Sequence, residues 1–246
     1  MKKAVSIKIL AALCAAALVL LFCPAGSNKT VAVNAFAFAR HPGETVVIDA
    51  GHGGEDGGAV SVTGVPESGI NLAIALKLDR LLALYGVRTK LLRETDVSIH
   101  DSSAVTLRQR KVSDLHNRVA MIEQTENAVL ISIHQNKFER PNYHGAQVFY
   151  ANEELTRPFA VFTQGYLREV LDPENTRTAA RIPNSVYLMN HITCRAILVE
   201  CGFLSNPKED LLLQSGIYQT KVASALTGAF LQFQDLNIKG ELPNEG

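Results

Sequence analysis

The stretch Val46-Val47-Ile48-Asp49-Ala50-Gly51-His52-Gly53-Gly54-Glu55-Asp56-Gly57-Gly58-Ala59-Val60 decides how this chain folds. Its first three residues are a short apolar run of the kind that forms a buried β-strand. The run stops abruptly in a turn so rich in glycine that the backbone can take positive φ and approach other groups closely. In its midst stands one imidazole, His52. A histidine just past the carboxyl end of a strand, in such a turn, is placed to bind a ligand. The plain alternative is a connector with an incidental surface histidine, and the rest of the chain must decide between them.

Downstream of a second loop at 63–69, a helix is expected to start near Glu67 or Ser68. Ile74, Leu78, Leu81, Leu82 and Tyr85 repeat at helical spacing, and Gly86 stops the pattern. Residues 87–92 read as a second strand. Residues 93–111 read as a polar loop, long enough to suggest function rather than connection. A second helix shows Leu115, Val119 and Ile122 on one face. A buried strand at 128–133 ends at His134, and a shorter one spans 145–150. A helix at 159–171 ends at Asp172-Pro173, and an arginine-bearing loop covers 177–185. A strand at 196–199 ends at Glu200, and a last helix covers about 218–233. Strands alternating with helices predict an α/β fold: a single domain over 40–240, with a mainly parallel twisted sheet and helices on both faces. In such sheets ligands bind beyond the carboxyl ends of the strands. His52, His134 and Glu200 each fall there, with Glu67 at the mouth of the first strand-to-helix connection.

The 246 residues, 47% of them apolar, suit one domain with a sizeable core. Residues 1–39 carry Lys2, Lys3, Lys8 and Lys29 and no acid, which leaves 20 basic against 24 acidic residues in the remainder. No basic stripe appears, so nucleic acid is not an expected partner. Lys2, Lys3 and Lys8 precede an apolar run over 9–23 ended by Pro24. That is short for a membrane span, which needs about 20 residues, and fits the hydrophobic part of a signal peptide; an uncleaved anchor is the alternative. Either way the domain is expected outside the cytoplasm, with the membrane met only through residues 1–39. Cys194 and Cys201 flank the strand ending at Glu200. An extended chain at about 3.3 Å per residue keeps them too far apart for a disulfide, so both read as buried thiols.

Two neutral imidazoles and one carboxylate are a usual shell for catalytic zinc, with one position left for water. His52, Glu67 and His134 supply that set, but they lie 15 and 67 residues apart, so only the fold can bring them together. Hydrolysis with a zinc-activated water also needs a second carboxylate to move protons. Glu200 is the candidate, because a carboxylate at the end of an apolar strand is costly to bury without a role.

These residues and their contexts carry a resemblance. Residues 48–54, Glu67 with Asn71-Leu72, Ser132-Ile133-His134-Gln135-Asn136 and residues 198–206 resemble, in order, the zinc-dependent N-acetylmuramoyl-L-alanine amidases, the Amidase_3 family, over about 45–235. The resemblance implies that His52, Glu67 and His134 are zinc ligands and Glu200 the catalytic carboxylate. It also implies that peptidoglycan is the substrate, cut between N-acetylmuramic acid and the L-alanine of the stem peptide. The compact size, the single N-terminal apolar segment and the stretches 113–119 and 185–189 are most similar to the germination-specific branch of endospore formers, which implies a role in spore cortex formation or germination; general wall remodelling is the alternative. Ala50 and Arg195, where proline is common in the family, and Gln135, where alanine is frequent, depart from the pattern and bear on loop geometry rather than chemistry.

Two rival functions stand beside this one. A carboxypeptidase or deacetylase on a similar sheet would release an amino acid or acetate, and a non-catalytic wall-binding domain would not need Glu200. His41, His100, His116, His144 and His191 lack matching partners and read as surface or hydrogen-bonding residues. Asp49 and Glu55 read equally as groups supporting the ligands or as solvated carboxylates. Arg93, Arg118, Arg177 and Arg181 read mostly as structural ion-pair partners. Only one helix fits between residues 150 and 187, so no internal plug is expected over the site. Restraint is left to export, timing, substrate supply or an activator protein.

Overall fold

In the computed structural model, which describes residues 43–242, the opening apolar run becomes β1 (Thr45–Ala50). It is followed by α1 (Glu67–Leu84), β2 (Arg88–Leu91), α2 (Leu107–Glu123), β3 (Ala128–Asn136), β4 (Gln147–Tyr150) and α3 (Arg157–Leu171). Then come the two-residue β5 (Ala180–Arg181), the short α4 (Tyr187–Asn190), β6 (Arg195–Phe203), α5 (Pro207–Gln214) and α6 (Gly216–Lys239). The sheet order is β2-β1-β3-β6-β4-β5. β1 pairs in parallel with β2 and β3, and β3 with β6. β4 runs antiparallel to β6, and β5 parallel to β4. The expectation of a mainly parallel α/β sheet holds. The targeting segment expected at 1–39 lies outside the described residues. Among the described residues no helix is long and apolar enough to cross a membrane.

Side-chain alternation along the strands builds two cores. Val46, Ile48, Val129, Ile131, Ile133, Ile197 and Val199 face one side, where they meet Ile74 and Leu78 of α1, Phe159 of α3 and Phe230 of α6. Val47, Leu130, Ala196 and Leu198 face the other, against Ile122 of α2 and Leu188 and Met189 of α4. The same alternation puts Asp49, Ser132, His134 and Glu200 on the α2 side, just beyond its apolar core. His134 lies opposite Glu200 in the β3–β6 register. Both strands run on past these residues, so His134 and Glu200 sit within strands rather than beyond their ends.

Three local features differ from the sequence expectation. α2 begins at Leu107, inside the stretch expected to be loop. Its N-terminus is fixed by a capping box in which Thr106 Oγ1 accepts from Gln109 N (3.2 Å) and the Gln109 side chain accepts from Thr106 N (3.0 Å). Replacing Thr106 with alanine should lower stability by about 1 kcal/mol, measured as a shift in the denaturant midpoint. β5 occupies part of the expected loop at 177–185, and α5 precedes the last helix. Of the two cysteines, Cys201 is buried and Cys194 half-buried; both are free thiols.

Candidate metal centre

Past β1, Gly51 N donates to Ile133 O (3.0 Å), which extends the β1–β3 ladder by one step before the chain turns. A side chain at Gly51 would overlap the His134 ring. His52 then adopts φ 62°, a conformation uncommon for a residue with a side chain. Two buried arginines hold this turn. Arg93 donates from Nε to Ala50 O (2.9 Å) and from Nη2 to Gly51 O (3.1 Å) and Ser68 O (2.9 Å). Arg118 donates from Nη1 to Ala50 O (3.0 Å) and from Nη2 to His52 O (2.8 Å), and pairs with both Asp49 and Asp114. Carbonyls leaving a strand lose their ladder partners, and these guanidinium groups replace them.

Asp49 is thereby settled as a supporting group. Burial works to raise its carboxyl, but the Arg118 charge and the Ser132 hydroxyl, at 2.6 Å, hold it below the usual carboxylate range. Glu55 faces solvent and pairs with Arg110. Arg177 lies over the Phe203 ring, at 4.4 Å from its centroid, and donates to His144 O. Arg181 lies exposed in β5.

Glu67 is the first residue of α1. The helix start is secured by the turn itself, as Glu67 N and Ser68 N donate to Ala59 O (2.8 Å) and Gly57 O (3.0 Å). The Glu67 carboxylate is 3% exposed. Its Oε1 accepts from Asn71 Nδ2 and Gln135 N, both at 3.0 Å, and its Oε2 accepts from Ala59 N at 3.0 Å. His134 Nδ1 lies 3.0 Å from Oε1 and His52 Nε2 lies 3.4 Å from Oε2. The two rings meet edge to face with centroids 5.1 Å apart. The structure thus brings together His52, Glu67 and His134, whose ligand atoms all lie within 4.8 Å of one another.

The donor chemistry, two imidazoles and one carboxylate, suits a zinc ion. Burial tends to raise the Glu67 carboxyl, but the His134 hydrogen bond and the charges of His134 and His52 outweigh it and hold it at about 2. Burial tends to lower the His134 imidazole, yet the Glu67 hydrogen bond and the charges of Glu200 and Glu67 draw it up. Both shifts come from the close pairing of Glu67 with the imidazoles.

Glu200 borders the same space. Its Oε2 is buried without a hydrogen-bond partner, and burial, eased by the His134 charge and reinforced by Glu67, pushes its carboxyl up to about 7. Glu200, His52 and His134 line a cavity of about 410 Å³, together with the polar Lys111 and Asp56 and the apolar Phe149, Ile182 and Val186. Among the described residues no helix plugs it. α3 packs with α6 in the core on the other face of the sheet, and the His52 side chain stays 21% exposed. His100, His144 and His191 bond to Ser98, Asp172 and the Tyr187 carbonyl, and His116 lies against the Tyr187 ring, all outside the cluster. His41 lies outside the described residues.

Sequence reasoning passed over Asn71, Gln135 and Asp56 as hydrogen-bonding neighbours of the clustered side chains. Asn71 sits four residues into the helix from Glu67, a spacing at which helical side chains meet. That spacing is the signal that could have found it. Gln135 donates from Nε2 to Asn71 Oδ1 (3.1 Å), so the position noted as a departure closes the hydrogen-bond chain behind Glu67.

The family model described as N-acetylmuramoyl-L-alanine amidase matches residues 46–232. The chain is 35% identical to the germination-specific N-acetylmuramoyl-L-alanine amidase of Bacillus subtilis over 202 residues, covering 82% of this chain and 83% of that one. Among solved structures, the CwlD amidase of Clostridioides difficile, determined in complex with the GerS lipoprotein, superposes with a TM-score of 0.75 at 36% identity, covering 78% of this chain and 98% of that chain. The amidase AmiC2 of Nostoc punctiforme gives a TM-score of 0.64 at 27% identity, covering 78% and 97%.

Proposed function

From the premise that the chain belongs to the N-acetylmuramoyl-L-alanine amidase family, and so hydrolyses the amide between N-acetylmuramic acid and the L-alanine of the stem peptide, we propose how it performs that reaction. His52, Glu67 and His134 hold a catalytic zinc ion, and Glu200 moves the proton. The observation that carries this reading is the convergence of three distant donors at one point, with a buried, unpartnered carboxylate oxygen bordering the same cavity. Zinc, when bound, supplies Lewis acidity to the scissile carbonyl and to water. The rest falls to the protein. Glu67 is kept ionised by the imidazoles beside it and oriented by its amide donors. The imidazoles present Nε2 of His52 and Nδ1 of His134 toward it. Glu200 takes a proton at its free carboxylate oxygen during attack and returns it to the alanine nitrogen as the amide breaks. The apolar side chains Phe149, Ile182 and Val186 in the cavity lining limit water there.

The likeness to the germination-specific enzyme supports action on spore peptidoglycan, in cortex formation or germination, over general wall remodelling. The basic and apolar N-terminal sequence supports export, with residues 1–39 as signal peptide or anchor and 40–240 as the catalytic domain. The lipoprotein bound to the Clostridioides difficile relative supports an activating partner for this chain too. Mass spectrometry of peptidoglycan digested by the purified protein tests the reading. The expected products are whole stem peptides with a free L-alanine amino terminus. Release of single amino acids or of acetate would replace it with a carboxypeptidase or a deacetylase. Digestion by the protein alone would remove the need for an activator, and digestion only after addition of a second protein would establish one.

A further inference from the structure

Asp56 has no role in the mechanism above, yet its carboxylate is the one built against a ligand. We infer that Asp56 is a positioning residue: it holds the His52 ring in the tautomer protonated at Nδ1, so that the lone pair of Nε2 faces the donor cluster. Asp56 Oδ2 lies 3.0 Å from His52 Nδ1, while His52 Nε2 faces Glu67 Oε2 at 3.4 Å. A neutral imidazole carries one N–H. Placed on Nδ1, it is donated to Asp56 and leaves Nε2 free; placed on Nε2, it would occupy the position a metal ion needs.

The backbone is shaped to make this contact. After His52 at φ 62°, Gly53 and Asp56 pair across a tight reversal, with Gly53 N donating to Asp56 O (2.8 Å) and Asp56 N to Gly53 O (3.3 Å). Gly54 inside the reversal has φ 61°. The chain therefore folds back so that the fourth residue after His52 meets its ring. Lys111 Nζ, reaching from the first turns of α2, lies 3.2 Å from the same Asp56 oxygen and gives the carboxylate a second partner. The neighbouring acids are committed elsewhere, Asp49 to Arg118 and Ser132, and Glu55 to Arg110. Carboxylates behind metal-binding histidines set tautomer and ring orientation, and their loss commonly weakens metal binding by about 10–100-fold.

This inference rests on the metal reading, and its test separates the two. Zinc affinity is measured on the full chain by competition with a chromogenic chelator, and the His52 tautomer by imidazole nitrogen NMR of the metal-free protein above neutral pH. Asp56→Ala should bind zinc roughly 10–100-fold more weakly and lose the Nδ1-protonated tautomer. Asp56→Asn, which keeps the volume and an acceptor oxygen but not the charge, should keep the tautomer and fall between the two in affinity. If the alanine variant fails to fold, the asparagine variant and the wild-type tautomer decide. An Nε2-protonated His52 in the wild type, or unchanged affinity or tautomer in folded Asp56→Ala, would overturn the inference. If the wild type binds no zinc, the metal reading fails, while the tautomer still shows whether Asp56 sets the ring.

Discussion

Glu200→Gln should leave zinc bound at about one ion per chain while turnover falls by a factor on the order of 10² or more. The substitution keeps shape and volume on β6 and removes only the ability to take and return a proton. Glu200 borders the cavity without bonding to any of the three proposed ligands, so the donor set is untouched. Glutamine should also be tolerated structurally, because an amide costs less to bury beside Glu67 than a second carboxylate. The measurements are metal content after dialysis and the initial rate of stem-peptide release. Loss of zinc in step with turnover would make Glu200 a ligand and require the roles to be reassigned.

His134→Ala should behave oppositely, losing metal and activity together. The imidazole supplies one of three donors and also anchors Glu67 Oε1 at 3.0 Å, so its removal leaves an incomplete shell and a less constrained carboxylate. Wild-type protein stripped with a chelator should lose activity and recover it on readdition of zinc, whereas the variant should not recover. Thermal unfolding gives a second readout. Zinc at about 100 times its dissociation constant should stabilise the wild type by roughly 2.7 kcal/mol, and the variant by far less. A variant that retained full activity in chelator would end the metal reading.

The buried strands were legible because β1, β3 and β6 are written as continuous apolar runs, and a strand covered on both faces needs little else. His52, Glu67, His134 and Glu200 stood out in the sequence because each is a polar group that follows an apolar run or opens a helical pattern, although β3 and β6 continue past His134 and Glu200. Their supports were not. Arg118 sits on α2 between Asn117 and Val119, and its immediate neighbours do not separate an arginine facing water from one reaching the carbonyls of β1. Its role exists only once two elements far apart in sequence have met. Asp56 was hidden among glycines for the same reason. The first turn of α2 escaped notice because Arg108, Gln109, Arg110 and Lys111 show no apolar period, and its capping box, Thr106 with Gln109, was the signal to read. α5 is eight residues long, too short for periodicity to separate it from a loop.

The matched register of β3 and β6 governs which insertions and deletions the chain could survive. His134 and Glu200 share a face only because their strands are in step, and the neighbours Ile133, Val199 and Cys201 point into the opposite core. One residue gained or lost inside either strand would carry the imidazole or the carboxylate into that core and bring an aliphatic side chain to the cavity. The connections carry no such constraint. The 65 residues between His134 and Glu200 pass through loops at 137–146 and 172–179, where length can drift without moving either group. Relatives can therefore differ widely in the spacing between motifs while the few residues around each motif keep their count.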